Sequence, residues 1–180
     1  MEKRIGFGPR LAAALIDMGI VAVVGFAAGA AIGGWLGTAI GTALGGSTAE
    51  GAASGAAVGA AVGAVLGAMS AFGGFVFLYS LIEAFTGASP GKMALGLKVG
   101  REDGHRAAAG VYARRWAIKY SGTLLGLLGA LPGLHVVGLL APVAGLVVLA
   151  GCFLVLGDKR QALHDVAAKT AVFRKIDLVP

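Results

Sequence analysis

Arg10 and Asp17 stand seven residues apart at the head of a long apolar run. Seven residues are close to two helical turns, so a helix there puts both on one face with the carboxylate about 10 Å deeper. An acid at that depth in a membrane helix is costly and faces a partner or a water-filled cavity. The candidate partner is Glu83, near the end of the next apolar run and at comparable depth if the two runs are antiparallel. Two buried carboxylates in one site share a proton or a cation, each raising the other's affinity for it. Exchange of H+ or Na+ is therefore one chemistry these residues offer. The structural alternative is that Asp17 caps or bonds a neighbouring helix.

Other chemistry finds little support. "SPGK" at 89–92 resembles the end of a phosphate loop, but Thr86 stands where the earlier glycine is needed and Met93 replaces the Ser or Thr that binds magnesium. His164 beside Asp165 offers a group that titrates near neutral pH, or an ordinary hydrogen-bonded surface pair. His105 and His135 are separated by a span, and Cys152, the lone cysteine, brings no ligand near either. There is no nucleophile with a base at useful spacing and no dinucleotide fingerprint. The sequence predicts no catalysis, no cofactor, no metal site and no nucleic-acid partner.

The elements that must position these residues are set by hydropathy. Hydrophobic residues make up 57% of the 180-residue chain and charged residues 13%, and the mean hydropathy of +0.85 lies far above that of soluble domains. No charged residue falls between Asp17 and Glu50, between Glu50 and Glu83, or from Tyr120 to Gly157. Each stretch exceeds the roughly 20 residues that cross a bilayer, and the first is too long for the core of a secretory signal. All fifteen Lys and Arg fall in three clusters, at 3–10, 92–119 and 159–175. Basic segments stay in the cytoplasm, so the pattern predicts an all-α integral membrane protein with four transmembrane helices in two hairpins and both termini inside. The expected organisation is a single domain. Its first helix runs over 10–46, the second over 51–86, a cytoplasmic loop over 87–111, the third helix over 112–131, the fourth over 136–157 and a cytoplasmic tail over 158–180.

The first hairpin is long and carries a glycine every fourth residue on both arms. One stripe is Gly25, Gly29, Gly33, Gly37, Gly41 and Gly45; the other is Gly51, Gly55, Gly59, Gly63 and Gly67. Glycines four apart line one helix face and let another backbone approach, the usual means of packing helices in lipid. The stripes join the two arms, join subunits, or do both. Residues 11–49 as one helix would extend about 58 Å, against a hydrocarbon core of roughly 30 Å. Either the helices break at the Gly33-Gly34 and Gly45-Gly46 pairs, or an apolar tip projects and needs cover from a homo-oligomer or another membrane protein. The arms offer few hydroxyls, at Thr38, Thr42, Ser54 and Ser70, which bears on whether such hairpins could line a pore.

Between the hairpins, "GKMALGLKVG" alternates Met93, Leu95, Leu97 and Val99, which reads as a short strand or an interfacial segment with Lys92 and Lys98 reaching lipid headgroups. "REDGHR" reads as a turn with Asp103-Gly104 at its tip. Tyr112, Trp116 and Tyr120 recur beside Arg114, Arg115 and Lys119, the pattern of a surface anchor, so Arg114, Arg115 and Trp116 are candidate contacts to membrane lipids. Pro142 kinks the last span or marks its start.

Three segments, "PRLAAALID", "TGASPGKMALGLKV" and "RQALHDVAAKTAVF", together resemble the RDD membrane proteins, named for one arginine and two aspartates. On that resemblance Arg10 and Asp17 are the first two named residues and Asp165 the third, and the location is a bacterial cytoplasmic membrane. The resemblance implies cation or proton exchange; the long glycine hairpin departs from the family's usual short one. A polar cluster in which Arg10 pairs with Asp165 is the structural alternative. The expected function is a homo-oligomeric scaffold or assembly subunit, the alternatives being a cation or proton transporter using Asp17 and Glu83, and a pore formed by the first hairpins.

Overall fold

The computed structural model describes residues 3–180, the side chains of 70–72 excepted, so Ser70 lies outside the described residues. The chain folds as two compact units, one being Ile16–Tyr79 and the other the stretch ending at Leu15 together with Ser80–Pro180.

The first unit is the body of a helical hairpin. Helix α1 (Phe7–Leu44) and helix α2 (Ala49–Thr86) each run unbroken for 38 residues, so the chain does not break at Gly33-Gly34. The turn follows Gly45, where Gly46 takes φ +91°, a left-handed conformation that favours glycine. A Cβ added at Gly37 would fall on the carbonyl oxygen of Gly59; one at Gly41 would strike Gly55, and one at Gly33 would strike Gly63. Gly45 meets Gly51 in the same way, and Gly67 meets Gly29. Glycine thus sits where main chain touches main chain between the arms, and Gly25 continues the buried edge of α1. Bulkier residues point away: Trp35 is 71% exposed and Leu44 82%.

The second unit is organised on a two-stranded sheet. Ser89 caps a short helix α3 (Pro90–Ala94), accepting from the Lys92 amide at 3.4 Å with Pro90 in the first turn. "SPGK" is thus a helix start, Pro occupying a position whose N–H is not needed. Strand β1 (Leu97–Arg101) follows and pairs antiparallel with β2 (Thr170–Arg174), Val99 facing Val172. The expected alternation holds from Leu97 onward, whereas Met93 and Leu95 are exposed. Residues 102–104 make the turn after β1, with Gly104 at φ +89°. Ala13 of α1, Leu97, Val99, Val172 and Tyr112 form one buried apolar cluster, and Ala171, Phe173 and Leu178 form another.

The remaining elements are α4 (Ala109–Lys119), α5 (Ser121–Gly129), α6 (His135–Gly138), α7 (Ala141–Cys152), a 3₁₀ turn (Phe153–Leu156), α8 (Leu163–Ala167) and a second 3₁₀ turn (Lys175–Asp177). Here the structure differs from the single helix expected for the third span. Residues 112–131 are not one helix, because the backbone leaves helical geometry at Tyr120 (φ −103°, ψ 19°), and α4 on its near side is charged. Among the described residues, three helical stretches are long and apolar enough to cross a membrane: α1, α2 and His135–Leu156. Pro142 lies in the first turn of α7 and so marks a helix start. Close backbone approach recurs here, since a Cβ at Gly122 would meet Ala141 and Gly145, and one at Gly129 would meet Gly138.

Candidate functional site: a buried charge cluster

The second unit gathers six charged side chains from five helices: Arg10 of α1, Glu83 of α2, Lys92 of α3, Arg115 and Lys119 of α4, and Asp165 of α8. Arg115 is 2% exposed and lies at the centre. Its Nε donates to Asp165 Oδ1 at 2.6 Å, its Nη1 to Glu83 Oε1 at 2.5 Å, and its Nη2 to His164 Nε2 at 3.1 Å. A planar guanidinium suits this task because its donors diverge in a fixed fork. Lys92 Nζ also donates to Glu83 Oε1, and Lys119 Nζ reaches Oε2 at 2.7 Å.

Arg10 closes the other side. Its Nη1 donates to Asp165 Oδ2 at 2.5 Å, its Nε to the Ile5 carbonyl at 3.0 Å and its Nη2 to the Arg160 carbonyl at 2.9 Å. Arg160 holds φ +48°, an uncommon conformation for a residue with a Cβ, and in it presents the carbonyl that Arg10 takes. Asp165, wholly buried, also accepts from the Ala162 amide at 3.2 Å, so one carboxylate caps α8 and binds two arginines. Arg4 adds a second tie, from Nη1 to Gln161 Oε1 at 2.9 Å and from Nη2 to the Glu102 carbonyl at 2.8 Å.

The electrostatics follow from four cations enclosing two carboxylates. Burial pushes the Lys92 ammonium down to about 8, Glu83 opposing the shift and Arg115 and Lys119 adding to it. Burial alone would raise the Asp165 carboxyl, but Arg115 and Arg10 hold it well below the usual carboxylate range. Burial, then the charge of Arg115, pushes His164 down to about 3. Because a guanidinium only donates, His164 Nε2 must accept, which places the imidazole proton on Nδ1. That buried Nδ1 has no hydrogen-bond partner among the described residues.

Several expectations change. Arg10 and Asp165 are paired, as the structural alternative had it. Glu83 is enclosed by three cations, where the sequence reading set it beside Asp17 to share a proton or cation; opposite charges outcompete a second carboxylate. Asp17 lies in the hairpin unit, where Tyr79 Oη donates to its Oδ1 at 2.6 Å. Arg115 does not reach a lipid headgroup, because both acids of the cluster hold it inside. Its neighbour Arg114 donates to the Ala168 carbonyl at 2.7 Å, and Trp116 Nε1 donates to Ser80 Oγ at 2.9 Å. Lys92 is likewise drawn in to Glu83 instead of lipid. His164 is 5% exposed, so it is neither a surface residue nor one that titrates near neutral pH. The sequence assigned Lys92, Arg115 and Lys119 to the membrane surface and not to this cluster; Arg115 and Lys119 stand four apart on one face of α4, and that spacing was the available signal.

Long apolar helices, a small sheet and a buried arginine–carboxylate cluster that holds Arg10 at the head of the first helix are the features of an integral membrane protein. The RDD family model matches residues 4–169, nearly the whole chain, and the chain belongs to the RDD family. No curated protein and no solved structure matches it.

Proposed function

We propose that this RDD family protein is a non-enzymatic, homo-oligomeric scaffold or assembly subunit of the bacterial cytoplasmic membrane, with both termini in the cytoplasm. One observation carries the reading. The glycine faces of α1 and α2 are used up on each other within the chain, while Ile32, Trp35, Ile40, Leu44, Val58 and Val62 all stay more than half exposed. Each arm is about 57 Å long, and even a 40° tilt leaves about 44 Å to fit a core of roughly 30 Å. Apolar surface beyond the bilayer needs protein to cover it, and a second copy of the same hairpin is the simplest cover. The charge cluster is then an anchor that fixes the first helix, and its acids, all matched by cations, have no vacancy for a transported ion.

Cross-linking tests this in native membranes. With Cys152→Ser as background, Leu44→Cys should give covalent dimers with a short thiol cross-linker, while Gly110→Cys, outside the hairpin, should not. Monomers alone at Leu44→Cys, Trp35→Cys and Val58→Cys would sink the proposal. A second reading, H+ or Na+ exchange, draws support from Asp17, a carboxylate inside a spanning helix held by Tyr79. It requires flux into liposomes that Asp17→Asn abolishes. A pore formed by the hairpins has weaker support, since Thr38 and Thr42 donate back to carbonyls four residues earlier in their own helix.

A further inference from the structure

A groove of about 490 Å³ opens beside the first turns of α1, and none of the six charged residues of the cluster lines it. Its walls are apolar: Ile5, Pro9 and Ala12 from the start of the chain, Leu95 before β1, and Ile176 after β2. Arg174, the last residue of β2, stands at its rim. Arg174 is exposed, and among the described residues its guanidinium makes no hydrogen bond or ion pair. Arg106 shares this state, whereas the guanidinium groups of Arg4, Arg10, Arg114, Arg115 and Arg160 are all engaged. Ile176 is 86% exposed and Leu95 40%, a poor arrangement for a surface that meets only water.

We infer that this groove is a binding site for one anionic phospholipid, its phosphate on Arg174 and the upper part of an acyl chain along Pro9 and Ala12. Two features select a lipid. Pro9 and Ala12 belong to the first turns of a helix long and apolar enough to cross a membrane, so an acyl chain is a chemically matched occupant of the wall they form. The groove also pairs an apolar wall with the Arg174 cation, the complement of an amphiphile with an anionic head. A soluble anion would need several polar donors, and the rim supplies one guanidinium. The site does not depend on the oligomeric state or on the scaffold reading.

Native mass spectrometry of the full chain in mild detergent, titrated with phosphatidylglycerol or phosphatidylcholine, tests the site. The wild type should retain one phosphatidylglycerol in preference to phosphatidylcholine. Arg174→Gln should lower that preference about fivefold, the effect of removing one basic residue near an anionic headgroup. Arg101→Gln, at an exposed ion pair with Asp103 outside the groove, should leave it unchanged. Ala12→Phe should fill the groove and reduce retention of both lipids, and Ile176→Ser provides the same test should Ala12→Phe fold poorly. Equal preference in wild type and Arg174→Gln would overturn the inference, as would an equal loss in Arg101→Gln. Full displacement of the lipid by millimolar inorganic phosphate would also overturn it, by making a soluble anion the ligand.

Discussion

Arg115 carries the charge cluster because three donors on one rigid plane satisfy two carboxylates and an imidazole together. Removing one partner of a buried pair costs far more than an exposed pair contributes. Arg115→Gln should therefore lower stability by about 3–5 kcal/mol, read from thermal unfolding in detergent. Arg115→Lys should fail to restore it, since an ammonium cannot replace the fork. Acid acts on the same residues. Unfolded, His164 gains a proton near pH 6.5; folded, it does so only at about 3. Between those values the unfolded chain binds more protons, so stability falls as pH drops from 6.5 toward 3, and Asp165 adds a further loss below about 3.8. His164→Gln should flatten the upper part of that profile and leave the lower limb, as melting temperatures across the pH range would show. At this scale the sequence was partly legible. Arg10 and Asp165 stood out, but nothing in local spacing shows that Glu83 meets α3 and α4, because those contacts arise only when segments distant in sequence fold together.

Among the elements, the long hairpin was the most legible. A period of four in glycine fixes a helix face, and that face is where the arms touch. What the period leaves open is which partner the face meets, since an arm of the same chain and an arm of a neighbour present the same stripe. Intrachain contact implies that Gly37→Ala should force the arms apart and lower the melting temperature, because its Cβ has no room beside Gly59. Gly19→Ala, where a Cβ meets nothing within 4 Å, should be neutral or stabilise by about 0.5–1 kcal/mol through helix propensity. Thermal unfolding of the two variants side by side separates packing from propensity. The third expected span is interrupted for a definable reason. Residues 120–157 lack charge, yet Tyr120 separates the basic α4 from a nine-residue α5 too short to cross alone, and hydropathy cannot report a backbone break. The segment around β1 was legible from Leu97 onward, but the Ser-Pro pair that starts α3 was hidden by its likeness to a phosphate loop.

For the whole molecule, charge is sharply partitioned. Residues 16–79 hold no Lys or Arg, so all fifteen basic residues belong to the unit with the sheet. Under the proposed scaffold reading, the basic body anchors the head of α1 and the apolar hairpin displays the surface for assembly. The mass of the purified protein in mild detergent, by native mass spectrometry or detergent-corrected light scattering, tests that account most directly. The account predicts a discrete oligomer that dissociates when the outward residues Leu44 and Val58 are replaced by Lys with the helices intact by circular dichroism. A stable monomer that carries H+ or Na+ flux into liposomes, lost in Asp17→Asn, would contradict it.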